Sequence, residues 1–436
     1  MENALPARII HSSEGDVLPE FYVDVGKAIG QEYRHILIGS DRRPSTDVVK
    51  SAFTAGALST GAIVFDVGCV PLQTMPLSEC DANCIMYFGN PDNNEYMSGL
   101  DLMNRDGTYF SDLQMFRLGE YIKGSMPPMD KEEPRNITAI PDYIDEYGEK
   151  LRAISGNPNS NLYLKFFIDA MSHNTPVIMN TRNTLALMVN CHMDNRSTER
   201  IVPNSEEDLK MLAKTVKANY GSVGIAINAE GTRIAGIDEN GGYIGGTMMF
   251  ALLMDYLKPE SVALPIDTPM MITDLFESKY TFTPVSSQRI GAVMKEKGLK
   301  FGGSADGTFI FPASSYIPDG IMAANIVSLI SSEWSLANFM DNIPEYMMTK
   351  TSMRYAGDVN LVTRRMDTVL NSLNYDHIHK SDGWRLDYGE GLFVIRINEE
   401  QMTIDIKVES KDKVYSTGLM EIATEAVDTC LKGINR

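Results

Sequence analysis

His35-Ile-Leu-Ile-Gly-Ser40, then the apolar positions Val48, Val49, Ala52, Phe53, Ala55 and Leu58, then Ala62-Ile-Val-Phe-Asp-Val67 form the stretch that decides the fold class. The first run is short, apolar and uninterrupted, which is the pattern of a strand buried on both faces. The second repeats at helical spacing, with Ser45 or Thr46 available to cap it and Gly61 to stop it. The third is again a short apolar run. Strand, helix and strand in that order close as a parallel pair, so the chain is expected to be α/β. A further apolar run, Cys84 to Phe88, enters a turn-rich loop at 89–95.

Beyond this core the same alternation continues. The Pro-rich, charged segment Met126-Pro-Pro-Met-Asp-Lys-Glu-Glu-Pro134 suits a boundary. An amphipathic stretch covers 141–154, and a helix is expected at 205–218 with Ser205 as its cap and acids in its first turn. A strand at 223–227 is followed by a hairpin-like return through Arg233 to Asp238 and the turn Glu239-Asn-Gly-Gly242. Helices are expected near 244–257, 287–297 and 318–332. The last section reads as a helix at 359–373, strands at 391–396 and 402–409, and a closing helix at 415–433, an α+β order.

Composition narrows the function classes. The chain has 436 residues, with 39 Lys plus Arg against 58 Asp plus Glu, a formal net charge of −19. That balance argues against a nucleic-acid binder, which needs clustered cations for the phosphates. Length alone suggests roughly three domains, at about 150 residues each. No signal-peptide-like or membrane-spanning run occurs, so a soluble cytoplasmic protein without a membrane partner is expected. Cys69, Cys80, Cys84, Cys191 and Cys430 lack a disulfide or zinc-finger pattern and read as plain thiols. The 27 methionines form no stripe and read as core filler. From 51 to 104 there is no Lys or Arg, while Asp66, Glu79, Asp81, Asp92, Glu95 and Asp101 supply six acids.

Four loops, in order, resemble the α-D-phosphohexomutases, a family of phosphoglucomutases, phosphomannomutases and phosphoglucosamine mutases. Gly39-Ser-Asp-Arg-Arg-Pro-Ser45 with Ala62 to Pro71 is similar to the family's G-x-D-x-R-x-S and D-x-G-x-x-P-T-P segments. Gly224-Ile-Ala-Ile-Asn-Ala-Glu-Gly-Thr-Arg-Ile234 resembles the loop that usually reads G-I-A-F-D-G-D-A-D-R. Phe301 to Pro312 with Asp319-Gly-Ile resembles the sugar-selecting G-E-x-S-G-H loop and the helix after it. Asp382-Gly-Trp-Arg385 and Gly391 to Arg396 resemble the last domain up to its R-P-S-G-T-E-P phosphate loop.

The resemblance implies three related mixed-sheet α/β domains plus a C-terminal α+β domain around a central cleft. The expected boundaries are 1–138, 139–238, 239–350 and 351–436. It also implies phosphoryl transfer through a phosphoserine, assisted by Mg²⁺, and each part of that machinery can be compared with the residues present. The nucleophile loop T-A-S-H-N-P corresponds to Met86-Tyr-Phe-Gly-Asn-Pro91, so Phe88 and Gly89 occupy the serine and histidine positions and no catalytic residue is assigned. Tyr87 and Ser98 are the nearest substitute oxygens. The three metal-loop aspartates become Asn228, Glu230 and Thr232, so no metal ligand and no cofactor is assigned, although Mg²⁺ belongs to the family. Ser304, Asp306 and Thr308 replace the sugar loop's glutamate, serine and histidine. In the fourth loop Arg396 alone remains, and Glu399 and Glu400 would repel a phosphate. His11 lies in an N-terminal loop that departs from F-G-T-S-G-I-R-G.

The leading expectation is therefore a phosphohexomutase-like pseudoenzyme that serves as a binding, regulatory or assembly protein. The alternative is a divergent phosphosugar mutase, or a related phosphotransferase-like enzyme of altered substrate, using Arg43, Glu230, Arg233, Asp306 and Arg396 in the cleft. Arg43, Arg233, Ser304, Asp306, Thr308 and Arg396 are the candidate ligand-binding residues for a small polar molecule. A protein partner or a second copy of the chain completes the expectations.

Overall fold

The computed structural model describes residues 7–11, 19–41, 44–89, 98–124, 136–140, 147–149, 151, 153–154, 165–169, 185–189, 205–228 and 230–432. It divides into two compact units, one of Met1–Met249 with Asp306–Asn338 and one of Phe250–Ala305 with Phe339–Arg436. Two of its sheets mix parallel and antiparallel strands and carry helices, so the α/β class read from residues 35–67 holds.

In the first unit, β1 (Arg8–His11), β2 (His35–Ser40), β3 (Ile63–Cys69), β4 (Cys84–Gly89), β5 (Ser98–Asn104) and β6 (Asn136–Ala139) form one sheet in the order β1-β5-β4-β2-β3-β6. β2 runs parallel to β3 and β4, whereas β5 is antiparallel to β4 and to β1. Every residue of β4 is buried, because both faces of this strand are covered. Cys84, Met86 and Phe88 join the cluster with Tyr22, Val25 and Phe53 from α1 (Pro19–Glu32) and α2 (Pro44–Leu58), while Ile85 and Tyr87 face Leu37, Val70 and Met75 on the other side.

The helix predicted after β2 is present, but it starts at Pro44, where a fixed φ and a missing N–H suit the first turn. Thr46 does not act as the expected cap; its hydroxyl donates to Asp41 Oδ1 at 2.7 Å. α1 and α2 cross at glycines. A Cβ on Gly26 would lie 2.1 Å from the Phe53 carbonyl oxygen, and one on Gly56 would lie 2.0 Å from that of Val23.

A second sheet in this unit contains β7 (Lys165–Asp169), β8 (Leu185–Val189), β9 (Val223–Ile227), β10 (Ile234–Ile237) and β11 (Tyr243–Ile244), ordered β11-β10-β9-β7-β8. The expected return after 227 is the antiparallel β9–β10 hairpin, with Ile227 opposite Ile234. Ser205 and Asp208 form a reciprocal cap before the helix Lys210–Ala218. β15 (Phe309–Ile310) and the helix Gly320–Glu333, capped by Asp319, also belong to this unit.

In the second unit, β12 (Ser261–Pro265) runs parallel to β13 (Lys279–Thr283) and β14 (Phe301–Gly303), with the helix Ser287–Lys297 as expected. The terminal sheet is antiparallel. Its strands β16 (Met347–Arg354), β17 (His377–Lys380), β18 (Trp384–Asp387), β19 (Gly391–Asn398) and β20 (Thr403–Ser410) are ordered β16-β20-β19-β18-β17. Helices Val359–Leu370 and Lys413–Leu431 cover one face with Val362, Met366, Leu419 and Val427. The α+β character expected for this section is therefore seen in it.

Among the described residues no helix is long and apolar enough to cross a membrane. The four described cysteines, Cys69, Cys80, Cys84 and Cys430, carry free thiols, and burial pushes the Cys84 thiol up from its ordinary range.

Candidate functional site

Phe88 is the last residue but one of β4, and alternation along that strand sends its ring into the helix-covered core. It has no exposed surface and meets Phe53 edge to face at 5.3 Å between ring centroids. Tyr87 points to the opposite face, where its hydroxyl donates to the Val70 carbonyl at 3.0 Å. Burial, reinforced by Asp41, Cys69, Glu230 and Asp101, raises the Tyr87 phenol well above its ordinary range and keeps it neutral. Gly89 is buried at the strand end. The rest of that loop, and the side chain of Ser98, lie outside the described residues, as do Arg43 and the side chain of His11.

The turn between β9 and β10 folds around Asn228. Its amide oxygen accepts from the backbone N–H of Thr232 at 2.7 Å and of Arg233 at 3.0 Å, and its amide nitrogen donates to Thr232 Oγ1 at 3.0 Å. Asn228 and Thr232 are both buried, so these two side chains chiefly satisfy one another and the local backbone. Gly231 sits at φ +73°, which lets the turn close over Gln73. Gln73 donates to the Glu230 carbonyl at 2.8 Å, and its buried Oε1 makes no hydrogen bond among the described residues.

Glu230 does not face open solvent alone. Its Oε1 lies 3.7 Å from Arg8 Nη2. Arg8, on β1, stands opposite Asp101 on β5 and donates to both carboxylate oxygens, Nε to Oδ1 at 2.7 Å and Nη2 to Oδ2 at 2.9 Å. Tyr109 also bonds to Asp101, and burial, opposed by Arg8, raises its phenol. Burial works against the Arg8 charge, but Asp101, Tyr109 and Glu230 outweigh it and hold the guanidinium protonated.

Arg233 Nε pairs with Asp306 Oδ2 at 3.2 Å, and the backbones of Arg233 and Thr308 form an antiparallel bridge. Thr308 N–H in turn donates to Asp306 Oδ1 at 3.1 Å. The structure thus brings Asn228, Glu230, Thr232, Arg233, Asp306 and Thr308 into one neighbourhood. Ser304 is half-buried in the second unit. There Arg396 Nη2 donates to Asp382 Oδ2 at 2.8 Å, and Glu399 and Glu400 sit exposed in the turn between β19 and β20.

Sequence reasoning missed Arg8, Asp101 as its partner, Tyr109 and Gln73. The absence of cations from 51 to 104 was the available signal, because a buried Asp101 then needs its counter-charge from elsewhere in the chain.

Among the described residues no group of three or more His, Cys, Asp or Glu is disposed to hold a metal. Two loop positions present neutral side chains bonded to each other, and the third a carboxylate facing a guanidinium. This set is a poor match for Mg²⁺, which takes hard anionic oxygens.

Comparison with known proteins identifies the relatives. Residues 10–123 match the family model described as phosphoglucomutase/phosphomannomutase, alpha/beta/alpha domain I. A probable phosphoglucosamine mutase of Methanocella arvoryzae is 27% identical over 425 residues, covering 95% of each chain. Over nearly its whole length the chain is similar to members of the α-D-phosphohexomutase family. Within that family, a phosphoglucomutase/phosphomannomutase of Thermococcus kodakarensis is 26% identical over 454 residues, covering 96% of each chain. The fold of this chain is also that of a phosphoglucomutase/phosphomannomutase family protein from Burkholderia thailandensis, with a TM-score of 0.79 at 15% identity, covering 98% and 97% of the two chains.

Proposed function

We propose that this phosphohexomutase-family chain keeps the family architecture without the family's serine-based phosphoryl transfer, and works as a binding, regulatory or assembly protein. The observation that carries the reading is Phe88, a fully buried phenyl ring locked against Phe53 at the position the resemblance gives to the serine. A ring in that place offers no oxygen to phosphorylate. Tyr87 is no replacement, since its hydroxyl is committed to Val70 on the opposite face of the strand. In-line transfer tolerates little misplacement of the nucleophile. The same proposal includes a cytoplasmic protein that acts through a protein partner or a second copy, with a small polar molecule as its ligand.

A coupled assay with glucose 1-phosphate, mannose 1-phosphate and glucosamine 1-phosphate in the presence of Mg²⁺ tests it. The expected result is no conversion above background. Sustained Mg²⁺-dependent turnover of any of them would overturn the reading.

The names of the full-length relatives favour a second reading, a divergent mutase of altered substrate. It requires a covalent phosphoryl on a residue other than Phe88. Intact-mass measurement after incubation with a sugar bisphosphate distinguishes the two: a species heavier by about 80 Da, the mass of one phosphoryl group, supports the second.

A further inference from the structure

We propose that the guanidinium of Arg8 is the resident cation of this site, in the role a divalent metal has in the family, and that the site binds no Mg²⁺. The inference deepens the reading above and rests on it for the position of the loop.

Three observations carry it. Arg8 is fixed by β-sheet register opposite Asp101 and grips that carboxylate through two donors, so its position does not depend on a flexible side chain finding a partner. It also reaches Glu230, the one carboxylate left in the β9–β10 turn, so a single guanidinium spans an acid of the first sheet and one in a turn of the second, within the same unit. The flanking turn residues have withdrawn from ligation, with Asn228 and Thr232 bonded to each other. A metal entering here would meet one carboxylate instead of three. It would also lie within a few ångströms of a positive charge held in place by Asp101, and like charges so close oppose binding. The arrangement replaces a recruited ion with a covalent part of the chain. Arginine suits this role because it stays charged when buried and its planar fork matches carboxylates.

The test uses the full-length protein and Mn²⁺ as a spectroscopic substitute for Mg²⁺. Titration followed by electron paramagnetic resonance should show no stoichiometric binding up to about 1 mM, a limit that corresponds to negligible affinity. Arg8→Gln should leave Asp101 and Glu230 facing a neutral amide, and the variant should bind Mn²⁺ at least about tenfold more tightly than the parent, as expected for relief of charge next to a metal site. Adding Glu230→Gln should abolish the gain. Arg8→Lys keeps the charge and should stay silent.

Saturable Mn²⁺ binding by the parent that is lost in Glu230→Gln overturns the inference. So does a folded Arg8→Gln protein that gains nothing. If Arg8→Gln does not fold, the parent titration decides alone, silence supporting the inference and binding overturning it. The two proposals fail separately: mutase turnover without metal binding would sink the functional reading and leave Arg8 in its role, whereas metal binding without turnover would do the reverse.

Discussion

At Asp319 a carboxyl group lies fully buried at the start of the helix Gly320–Glu333, accepting from Met322 N–H at 2.8 Å and from the Tyr147 hydroxyl at 3.2 Å. Burial outweighs these bonds and pushes it up to about 6 from 3.8. Between those values the folded chain holds one proton more than the unfolded chain. The stability contributed by this group is therefore complete below about pH 3.8 and is lost as pH rises through 6, a change of about 3 kcal/mol for a shift of this size. Urea unfolding from pH 4 to 7 should show that Asp319→Asn removes this component of the slope; identical slopes in parent and variant would contradict it. Residues differ in how far the sequence discloses them. Placing Phe88 at the family's serine position rests on the order of motifs along the sequence alone. The Arg8–Asp101 pair is not legible there, because its members are 93 positions apart and only the β1–β5 register brings them together. Burial of Tyr87 on the face opposite Phe88 likewise depends on β4 being covered on both sides.

Among elements, the α1–α2 crossing has little tolerance. The helices meet backbone to backbone at Gly26 and Gly56, where an added Cβ has carbonyl oxygens rather than movable side chains in its way. Gly26→Ala or Gly56→Ala should force the pair apart and cost about 3 kcal/mol, the upper range for overpacking, read as a lower urea midpoint at unchanged slope. An unaltered midpoint would mean that the crossing is looser than described. The run 35–67 was legible because β2 is almost wholly buried, so its apolar residues are contiguous, and because α2 shows helical spacing. β17 and β18 were not legible, since His-Ile-His-Lys is a short edge strand with exposed ends and no apolar run, while Trp-Arg-Leu-Asp places a charged residue against protein rather than water. Arg385 on β18 is 1% exposed, which no hydropathy pattern anticipates.

On the scale of the whole molecule, that arginine is what joins the terminal sheet to the β12–β14 section inside the second unit. Its Nη1 donates to the Thr268 carbonyl at 2.6 Å and Nη2 to Thr273 Oγ1 at 3.1 Å, and Nε pairs with Asp387 at 3.0 Å. The guanidinium also lies over Phe282 at 4.7 Å from the ring centre. Lys407, donating to the Asp267 carbonyl at 2.7 Å, adds a second tie. Arg385→Leu should strand these acceptors and lower the stability of this unit by about 3 kcal/mol, as for other broken buried pairs. Hydrogen exchange should accelerate in both 268–273 and 384–395; acceleration in only one would show that the two sections do not depend on each other.

The terminal sheet ends at β16, an eight-residue strand exposed along nearly its whole length, including Met347 and Met348. A strand of this kind, with one edge paired to β20, is a template on which another chain could assemble. Lys350 and Arg354 are spaced to project from the same face, and a second copy docking there would have to bring like charges together. The strand thus carries its own protection against fibril-like stacking, and exchanging both cations for threonine would turn a soluble edge into an adhesive one.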